Sequence, residues 1–429
     1  LISHNHPRLH PGGTEIFSHA LFEALRRCEG HEAFYLACTN DAHRKPNPGT
    51  AFLGIDGAPD EMLLWCGNFD RFRLSQPSTH GLVPELIRFL RDYRPDVVHF
   101  HHVLLIGVEA FKIVRDTLPE ARIVVTLHDY YPICHHDGRM VEAGSGGLCS
   151  RASSQACVRC FPEHGSDEFL AREIHIKQFF SLADVFVAPS EFLRRRFIEW
   201  GLPGERIVIV RNGAARRAED VAARTPRTRP RNSAPTVFGF FGNVSRAKGV
   251  DLLLDAIEHL AHRDTAPFEL RIHGMPWFQP EAYCAEFNAR VDGAAPRIRH
   301  LGVYDREDMP ALLDDVDWVV VPSTWWENDP LVIQEALWAR RPVICADIGG
   351  MAESVRAGID GWHFRAGDAY DLARVMEQVM DGVTECSTAQ MLPMADSALL
   401  YVPSAIEPVA QAYLGVYANA MPREHMAAR

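Results

Sequence analysis

The chain has 429 residues, 44 Lys plus Arg against 56 Asp plus Glu, and a formal net charge of −12. That length amounts to about three domains of ~150 residues, so two sizeable domains are expected, and the acidic balance argues against a general nucleic-acid binder, which needs cationic surface for phosphates. Apolar residues at 47% with ordinary Gly and Pro exclude collagenous, coiled-coil and wholly disordered chains.

No apolar run reaches the ~18 to 20 residues of a bilayer span, and the opening Leu1-Ile2-Ser3-His4 carries neither a cationic leader nor a long hydrophobic stretch. A cytoplasmic protein is expected. Those first residues read as the end of a strand, so further chain upstream of Leu1 is expected as well.

In chain order, short β-rich runs alternate with amphipathic helical stretches. Strands are expected at Val97–Phe100, Ile123–Leu127, Val185–Ala188 and Ile207–Val210, each apolar on both faces as a buried parallel sheet requires. The pattern repeats with Val237–Phe241, Phe268–Ile272, Trp318–Val321 and Val343–Cys345. Helices are expected at Phe17–Arg27, Leu82–Tyr93, Leu252–His262 and Tyr370–Met380, where apolar residues recur at three and four. Two doubly wound α/β domains follow. The best boundary comes after Asn212-Gly213, where Ala214 to Pro235 is rich in Arg, Thr and Pro. The reading is residues 1–212 as one domain, 213–400 as another, and 401–429 as a tail whose helix, Pro403 to Met421, packs back across the cleft between them.

Ligands of open parallel sheets bind at the carboxyl ends of strands, so the residues after each strand are where chemistry is sought. Trp318–Val321 leads into Glu327-Asn328-Asp329-Pro330-Leu331-Val332, with Glu335 eight residues after Glu327. Pro330 suits the first turn of a helix, so the amides of Leu331 to Ile333 would point out of its positive end toward a phosphate. One glutamate can then face a sugar and the other a ribose; the alternative is a helix start capped by Asp329 with two solvated glutamates. After Val237–Phe241 come Gly242, Asn243, Arg246 and Lys248, and those two cations would neutralise a departing diphosphate, surface solvation being the alternative. Without the Gly-x-x-x-x-Gly-Lys-Ser/Thr spacing this is not a P-loop. In the first half, Gly12 and Gly13 follow the opening strand and let backbone approach a ligand. His128 and Asp129 follow Ile123–Leu127, where an imidazole can meet a sugar or an acceptor hydroxyl. His99, His101 and His102 read as a mixture of packing and surface. Trp325, Trp326, His273 and Met275 follow strands and can shape donor or acceptor subsites.

These residues together resemble a retaining nucleotide-sugar glycosyltransferase of family 4, from Gly12-Gly13 through Pro95–His99, His128, Pro189-Ser190-Glu191, Asn212-Gly213, Gly242–Gly249 and Pro322–Ala336 to Gly361. The sharpest mark is Glu-x7-Glu at Glu327 and Glu335. The resemblance implies the GT-B fold of two facing Rossmann-like domains, with Glu327 near the donor sugar, Glu335 on the nucleotide ribose, Arg246 and Lys248 on the diphosphate, and His128 near the reaction centre. It implies a nucleotide diphosphosugar donor and a hydroxyl acceptor on a glycan or lipid-linked molecule, with no metal required for catalysis. Asn328-Asp329-Pro330 replaces the family's frequent glycine-aromatic-glycine run and brings an anion near the expected phosphate.

Cys134, Cys149, Cys157 and Cys160 form Cys-x14-Cys-x7-Cys-x2-Cys within a Gly/Ser-rich insertion at 130–165, a set suited to structural zinc or to an iron–sulfur cluster, with His135 and His136 as substitute ligands. Cys28, Cys38, Cys66, Cys284, Cys345 and Cys386 read as isolated. Between Arg194 and Arg231 stand 11 Arg against Glu199, Glu205, Glu219 and Asp220. This stretch is either a solvated linker or a peripheral contact with anionic lipid. The rivals to a transferase are a phosphorylase or sugar-phosphate synthase of the same fold, a silent nucleotide-sugar binder, and an iron–sulfur redox protein.

Overall fold

Contacts divide the chain into two compact units, Leu1–Ala218 with Ser404–Arg429, and Glu219–Pro403. The structure, a computed structural model, describes residues 1–77, 79–217, 235–263, 265–381 and 403–419.

The first unit holds β1 (Ile2–Ser3), α1 (Gly13–Arg26), β2 (Tyr35–Thr39), β3 (Phe52–Gly54), β4 (Glu61–Trp65), α2 (Thr79–Tyr93), β5 (Val97–Phe100), α3 (Ala110–Thr117), β6 (Arg122–Thr126), α4 (Ser154–Cys160), α5 (Ser166–Phe180), β7 (Val185–Ala188), α6 (Glu191–Trp200) and β8 (Ile207–Ile209). Its sheet runs β3-β4-β2-β1-β5-β6-β7-β8, parallel throughout except for β3 against β4. Every residue of β7 is buried, so both faces of the sheet are covered, as a parallel sheet demands. Ser190 caps α6 by accepting from the Leu193 amide, and Gly201 ends it at φ 111, which accounts for the Pro189-Ser190-Glu191 motif.

The second unit holds β9 (Thr236–Phe241), α7 (Val250–Ala261), β10 (Phe268–His273), α8 (Glu281–Gly293), β11 (Ile298–Gly302), α9 (Met309–Asp314), β12 (Trp318–Val321), α10 (Leu331–Trp338), β13 (Val343–Ala346), α11 (Gly349–Ser354), β14 (Gly361–Phe364) and α12 (Ala369–Asp381). Its six parallel strands run β11-β10-β9-β12-β13-β14. Val250, Leu253, Leu254, Ile257 and Leu260 form the buried stripe of α7, at the spacing read from sequence. Buried Leu side chains of this kind contribute about 1.5–3 kcal/mol each.

The last helix, α13 (Ile406–Asn419), belongs to the first unit. It starts three residues later than the expected Pro403 and packs on α1 through Phe17 and Tyr413. Its Tyr413 hydroxyl lies 3.0 Å from Thr126 Oγ1 and its Tyr417 hydroxyl 2.8 Å from His99 Nδ1.

Both sheets share one order around their first strand, and in each the connections reverse direction beside it: between β1 and β5, and between β9 and β12. A crevice opens at such a switch point, at the carboxyl ends of the strands. The expected strands are present, with β8 ending at Ile209. Five others gave a weak signal. β2 and β4 contain neither Val nor Ile, β3 and β11 are edge strands with exposed positions, and β14 reads Gly-Trp-His-Phe. Among the described residues no helix is long and apolar enough to cross a membrane.

Candidate functional site

At the second unit's switch point three loops meet backbone to backbone. A Cβ on Gly249 (φ 72) would lie 1.8 Å from the Pro322 carbonyl oxygen, and one on Gly350 would lie 1.5 Å from that of Asn328. Only glycine permits this approach. The Gly350 amide donates to the Glu327 carbonyl at 2.7 Å and the Thr324 amide to that of Ala247 at 2.9 Å, so loops following β9, β12 and β13 form one platform.

Glu327 is buried at its centre. Its Oε1 accepts from Lys248 Nζ at 2.6 Å, Ser323 Oγ at 2.9 Å and Trp325 Nε1 at 2.9 Å, and the Trp325 ring sits 5.6 Å from the same ammonium. Three donors on one oxygen fix the carboxylate in place. Sequence placed Lys248 and Glu327 in separate motifs; the fold makes them a pair.

Pro330 is the extended N-cap of α10 (φ −63, ψ 124) rather than a residue of its first turn, because the helix starts at Leu331. The Ile333 amide is satisfied by the Pro330 carbonyl at 3.0 Å, so the amides of Leu331 and Val332 form the positive end. Asp329 turns inward. Its Oδ1 accepts from Gln334 Nε2 at 2.5 Å and from Ser354 Oγ at 3.3 Å, pinning α10 to α11, which explains how an anion is tolerated in this loop. Asn328 is buried beside it, and Glu335, also buried, lies 3.4 Å from Arg306 Nε. The two glutamates are therefore not solvated.

Arg246 stands apart from Lys248. It is 71% exposed, 3.2 Å from Asp251, 3.6 Å from Glu286 and over the Tyr283 ring. Asn243 accepts the Trp277 amide, and the Gly242 amide donates to the His273 carbonyl. The His273 ring stacks on Phe241 at 4.7 Å, and burial pushes its pKa down to about 4, so it is neutral near pH 7.

At the first unit's switch point the loops after β1, β5 and β6 gather imidazoles. His4 Nε2 lies 3.0 Å from Glu15 Oε1, where the imidazolium outweighs burial and holds Glu15 down at about 2. Glu15 Oε2 occupies the space that a Cβ on Gly12 would take, 2.5 Å away, so Gly12 makes room for this carboxylate; around Gly13 the space is open. His102 accepts the Leu104 amide on Nδ1, so its Nε2–H donates to Asp129 at 2.7 Å, and Asp129 also accepts the Tyr131 amide. His128 Nε2 lies 3.0 Å from His101 Nδ1. Burial drives the His128 pKa down to about 3, which makes it a neutral hydrogen-bonding group. Sequence reading named His128 and Asp129 but missed the His4–Glu15 pair and the partnership of His101; the position of His4 and His101 directly after β1 and β5 was the available signal.

The four cysteines lie in the 130–165 segment, half-buried, and no disulfide joins any of them. Among the described residues, the ligand atoms that converge to within 4.8 Å are instead those of His6, His19 and Glu61. That trio is a hydrogen-bonded clamp: the Arg8 amide donates to His6 Nδ1, which leaves the proton on Nε2, facing Glu61 at 2.7 Å. Of the arginine-rich stretch, 218–234 lies outside the described residues, as does Cys386. In the described part Arg194 and Arg196 bind the Ile207 and Ser150 carbonyls.

A family model described as Glycosyltransferase Family 4 matches residues 11–215, and one described as Glycosyl transferases group 1 matches 235–382. The chain is 27% identical over 396 residues to a glycogen synthase of Mycobacterium tuberculosis, spanning 89% of this chain and 85% of that protein. It is 31% identical over 237 residues to a D-inositol 3-phosphate glycosyltransferase of Nocardia farcinica, 53% of this chain and 52% of that one. Its fold matches that of Anabaena Alr3699/HepE in complex with UDP at a TM-score of 0.62 and 20% identity, covering 97% and 98% of the two chains. It also matches a glycosyltransferase from Rickettsia africae at 0.65 and 16%, with 99% of each covered.

Proposed function

The chain belongs to glycosyltransferase family 4, has the GT-B fold and transfers a glycosyl group from a nucleotide sugar, and from that premise we propose how its residues do so. The donor diphosphate lies between Lys248 and the amides of Leu331 and Val332, with Arg246 swinging from Asp251 to join it. Glu327 Oε2 takes a hydroxyl of the donor sugar and Glu335 the ribose. The observation that carries this reading is the buried Glu327 carboxylate, held by three donors beside a helix start and a fixed ammonium.

As the glycosidic C–O bond breaks, charge develops on the leaving phosphate, where a preorganised cation and helix amides are worth most. The acceptor hydroxyl attacks from the same face and gives its proton to the departing phosphate, so the anomeric configuration is retained. His128, neutral because burial lowers its pKa, is the first unit's candidate hydrogen-bonding group for a sugar or acceptor hydroxyl. No divalent ion enters this scheme.

The setting is assembly of a polysaccharide or other glycoconjugate in the cytoplasm, in keeping with half-buried, reduced thiols. The acceptor is a glycan or a lipid-linked molecule, with peripheral contact to anionic lipid. Structures of this fold hold UDP, UDP-glucose or ADP, so the donor base is to be found by assaying UDP-, GDP-, ADP- and TDP-sugars with and without chelator, with product configuration read by NMR. Turnover of one donor by the wild type, its loss in Glu327→Ala and a retained anomeric centre support the reading. Nucleotide binding without turnover of any donor points to a silent binder, and sugar phosphate released from a glycan without nucleotide points to a phosphorylase.

A further inference from the structure

Arg172, on α5, is the most deeply buried arginine described in the first unit, at 3% exposure. Burial lowers its pKa to about 10, so it stays charged near pH 7. Its guanidinium bonds the backbone carbonyls of two loops. Nε donates to Phe72 at 2.6 Å in the loop after β4, while Nη2 donates to Tyr131 at 2.6 Å and Nη1 to Pro132 at 2.8 Å in the loop after β6. The Phe72 ring lies against the guanidinium. α5 itself is fixed in the core, where Phe180 packs on Phe111 and stacks on Phe186 of β7. A planar fork on a rigid helix holds both loops at once, which a single ammonium nitrogen cannot do.

Both loops lead to the first unit's switch point. Tyr131, gripped through its carbonyl, donates its amide to Asp129 Oδ1 at 2.9 Å, and Asp129 Oδ2 accepts His102 Nε2–H at 2.7 Å. His102 in turn accepts the Leu104 amide on Nδ1 at 2.9 Å, so both of its ring nitrogens are engaged and it supports Asp129 rather than acting as a base. Although burial opposes it, the His102 contact and the Tyr131 amide hold the Asp129 pKa below its ordinary value, and its side chain is 20% exposed, so an ionised carboxylate keeps lone pairs for a hydroxyl. The loop after β4 also joins the loop after β5: the Val108 amide donates to the Leu74 carbonyl at 2.9 Å and Gln76 Nε2 to that of Leu105 at 2.7 Å. Leu74 (φ 53) and Leu105 (φ 69) both stand in the left-handed region. A leucine keeps that conformation only where its surroundings over-determine it, and such strain collects at functional sites.

We propose that Asp129 accepts the acceptor hydroxyl and that Arg172 is its positioning residue, which holds the loops after β4 and β6 so that the Tyr131 amide and His102 fix the carboxylate in one orientation. This rests on the proposed function, in which the loop after β6 meets a sugar or acceptor hydroxyl. Arg172 touches no substrate; its effect runs through the backbone of Tyr131 and Pro132.

The test compares Arg172→Met and Arg172→Lys with the wild type in the full chain. NMR with ¹⁵N-labelled histidine, assigned through His102→Gln, is expected to show a slowly exchanging His102 Nε2–H in the wild type and its loss or broadening in both variants, in the lysine because one nitrogen cannot reach both loops. Affinity for UDP, measured by calorimetry, is expected to stay unchanged, since the proposed nucleotide site lies on the second unit. With the donor that the wild type turns over and an alkyl glycoside as acceptor, kcat/KM for the acceptor is expected to fall about 10–100-fold, the cost of a misplaced reacting group. Should Arg172→Met not fold, Arg172→Lys carries the test. No protected His102 proton in the wild type, an unchanged one in the folded variants, or wild-type acceptor kinetics alongside a lost signal overturns the proposal. A wild type that turns over no donor defeats the proposed function instead, and the imidazole signal then decides the positioning by itself.

Discussion

Lys248 Nζ lies 2.6 Å from Glu327 Oε1, across 79 residues of sequence. In the proposed scheme the ammonium that meets the donor phosphate is thus held by a carboxylate before the donor arrives. Neutralising the carboxylate releases it. Glu327→Gln is expected to bind nucleoside diphosphate as tightly as the wild type or more so while kcat falls at least ~100-fold, whereas Lys248→Met weakens nucleotide and lowers kcat together. Calorimetry with the diphosphate alongside steady-state rates checks both signs, and nucleotide loss in Glu327→Gln contradicts the arrangement.

Trp325 holds the same pair by two means, an N–H to Glu327 and a ring face toward Lys248. Trp325→Phe keeps the ring and deletes the N–H, a hydrogen bond to a charged group worth about 1.5–3 kcal/mol. A roughly 10–100-fold drop in kcat with nucleotide affinity little changed is expected. Equal loss in both would mean that the residue only supports the loop.

Two neighbouring glycines and one distant one make a paired stability experiment. Gly249→Ala and Gly350→Ala each push a methyl into a carbonyl oxygen, and thermal or urea unfolding should show a loss of roughly 2–4 kcal/mol. Gly13→Ala, which meets nothing within 4 Å at the start of α1, should be neutral or slightly stabilising.

The buried imidazoles set the acid limb of stability. Burial depresses the pKa values of His99, His101 and His128, the last to about 3 from an ordinary 6.5, so the unfolded chain takes up protons that the folded chain refuses. Their contribution is complete above about pH 6.5 and is lost as pH falls toward 3. Glu15 adds a further loss from about 4.5 down to 2. His4 has the opposite sign: although burial opposes it, the Glu15 charge raises its pKa, so its contribution is full below 6.5 and is lost as pH rises through the folded value. Urea midpoints should drop between pH 7 and pH 5, with a shallower slope in His128→Gln. A midpoint that holds or rises on acidification refutes the assignment.

Much of the molecule was legible without coordinates. Runs such as Trp318-Val319-Val320-Val321 are apolar on both faces, which marks a covered parallel strand wherever it occurs, and reactive side chains placed directly after such runs mark the carboxyl edge of a sheet. Edge strands such as β11, whose Arg299 and Leu301 meet solvent, carry no such mark and went unread.

By itself the sequence determined the alternation of strand and helix, the division into two α/β units, and the loops that hold Glu327, Glu335, Lys248, Gly12 and His128, because each of these follows from local periodicity and from position just past a strand. Only the tertiary structure decided which side chains meet: Lys248 with Glu327 while Arg246 turns to Asp251, Asp329 inward to Gln334 and Ser354, His4 against Glu15, and Arg172 on the carbonyls of Phe72, Tyr131 and Pro132. Partnership of that kind depends on depth and orientation, which come from the packing of loops against one another at a switch point, and residue spacing along the chain carries neither.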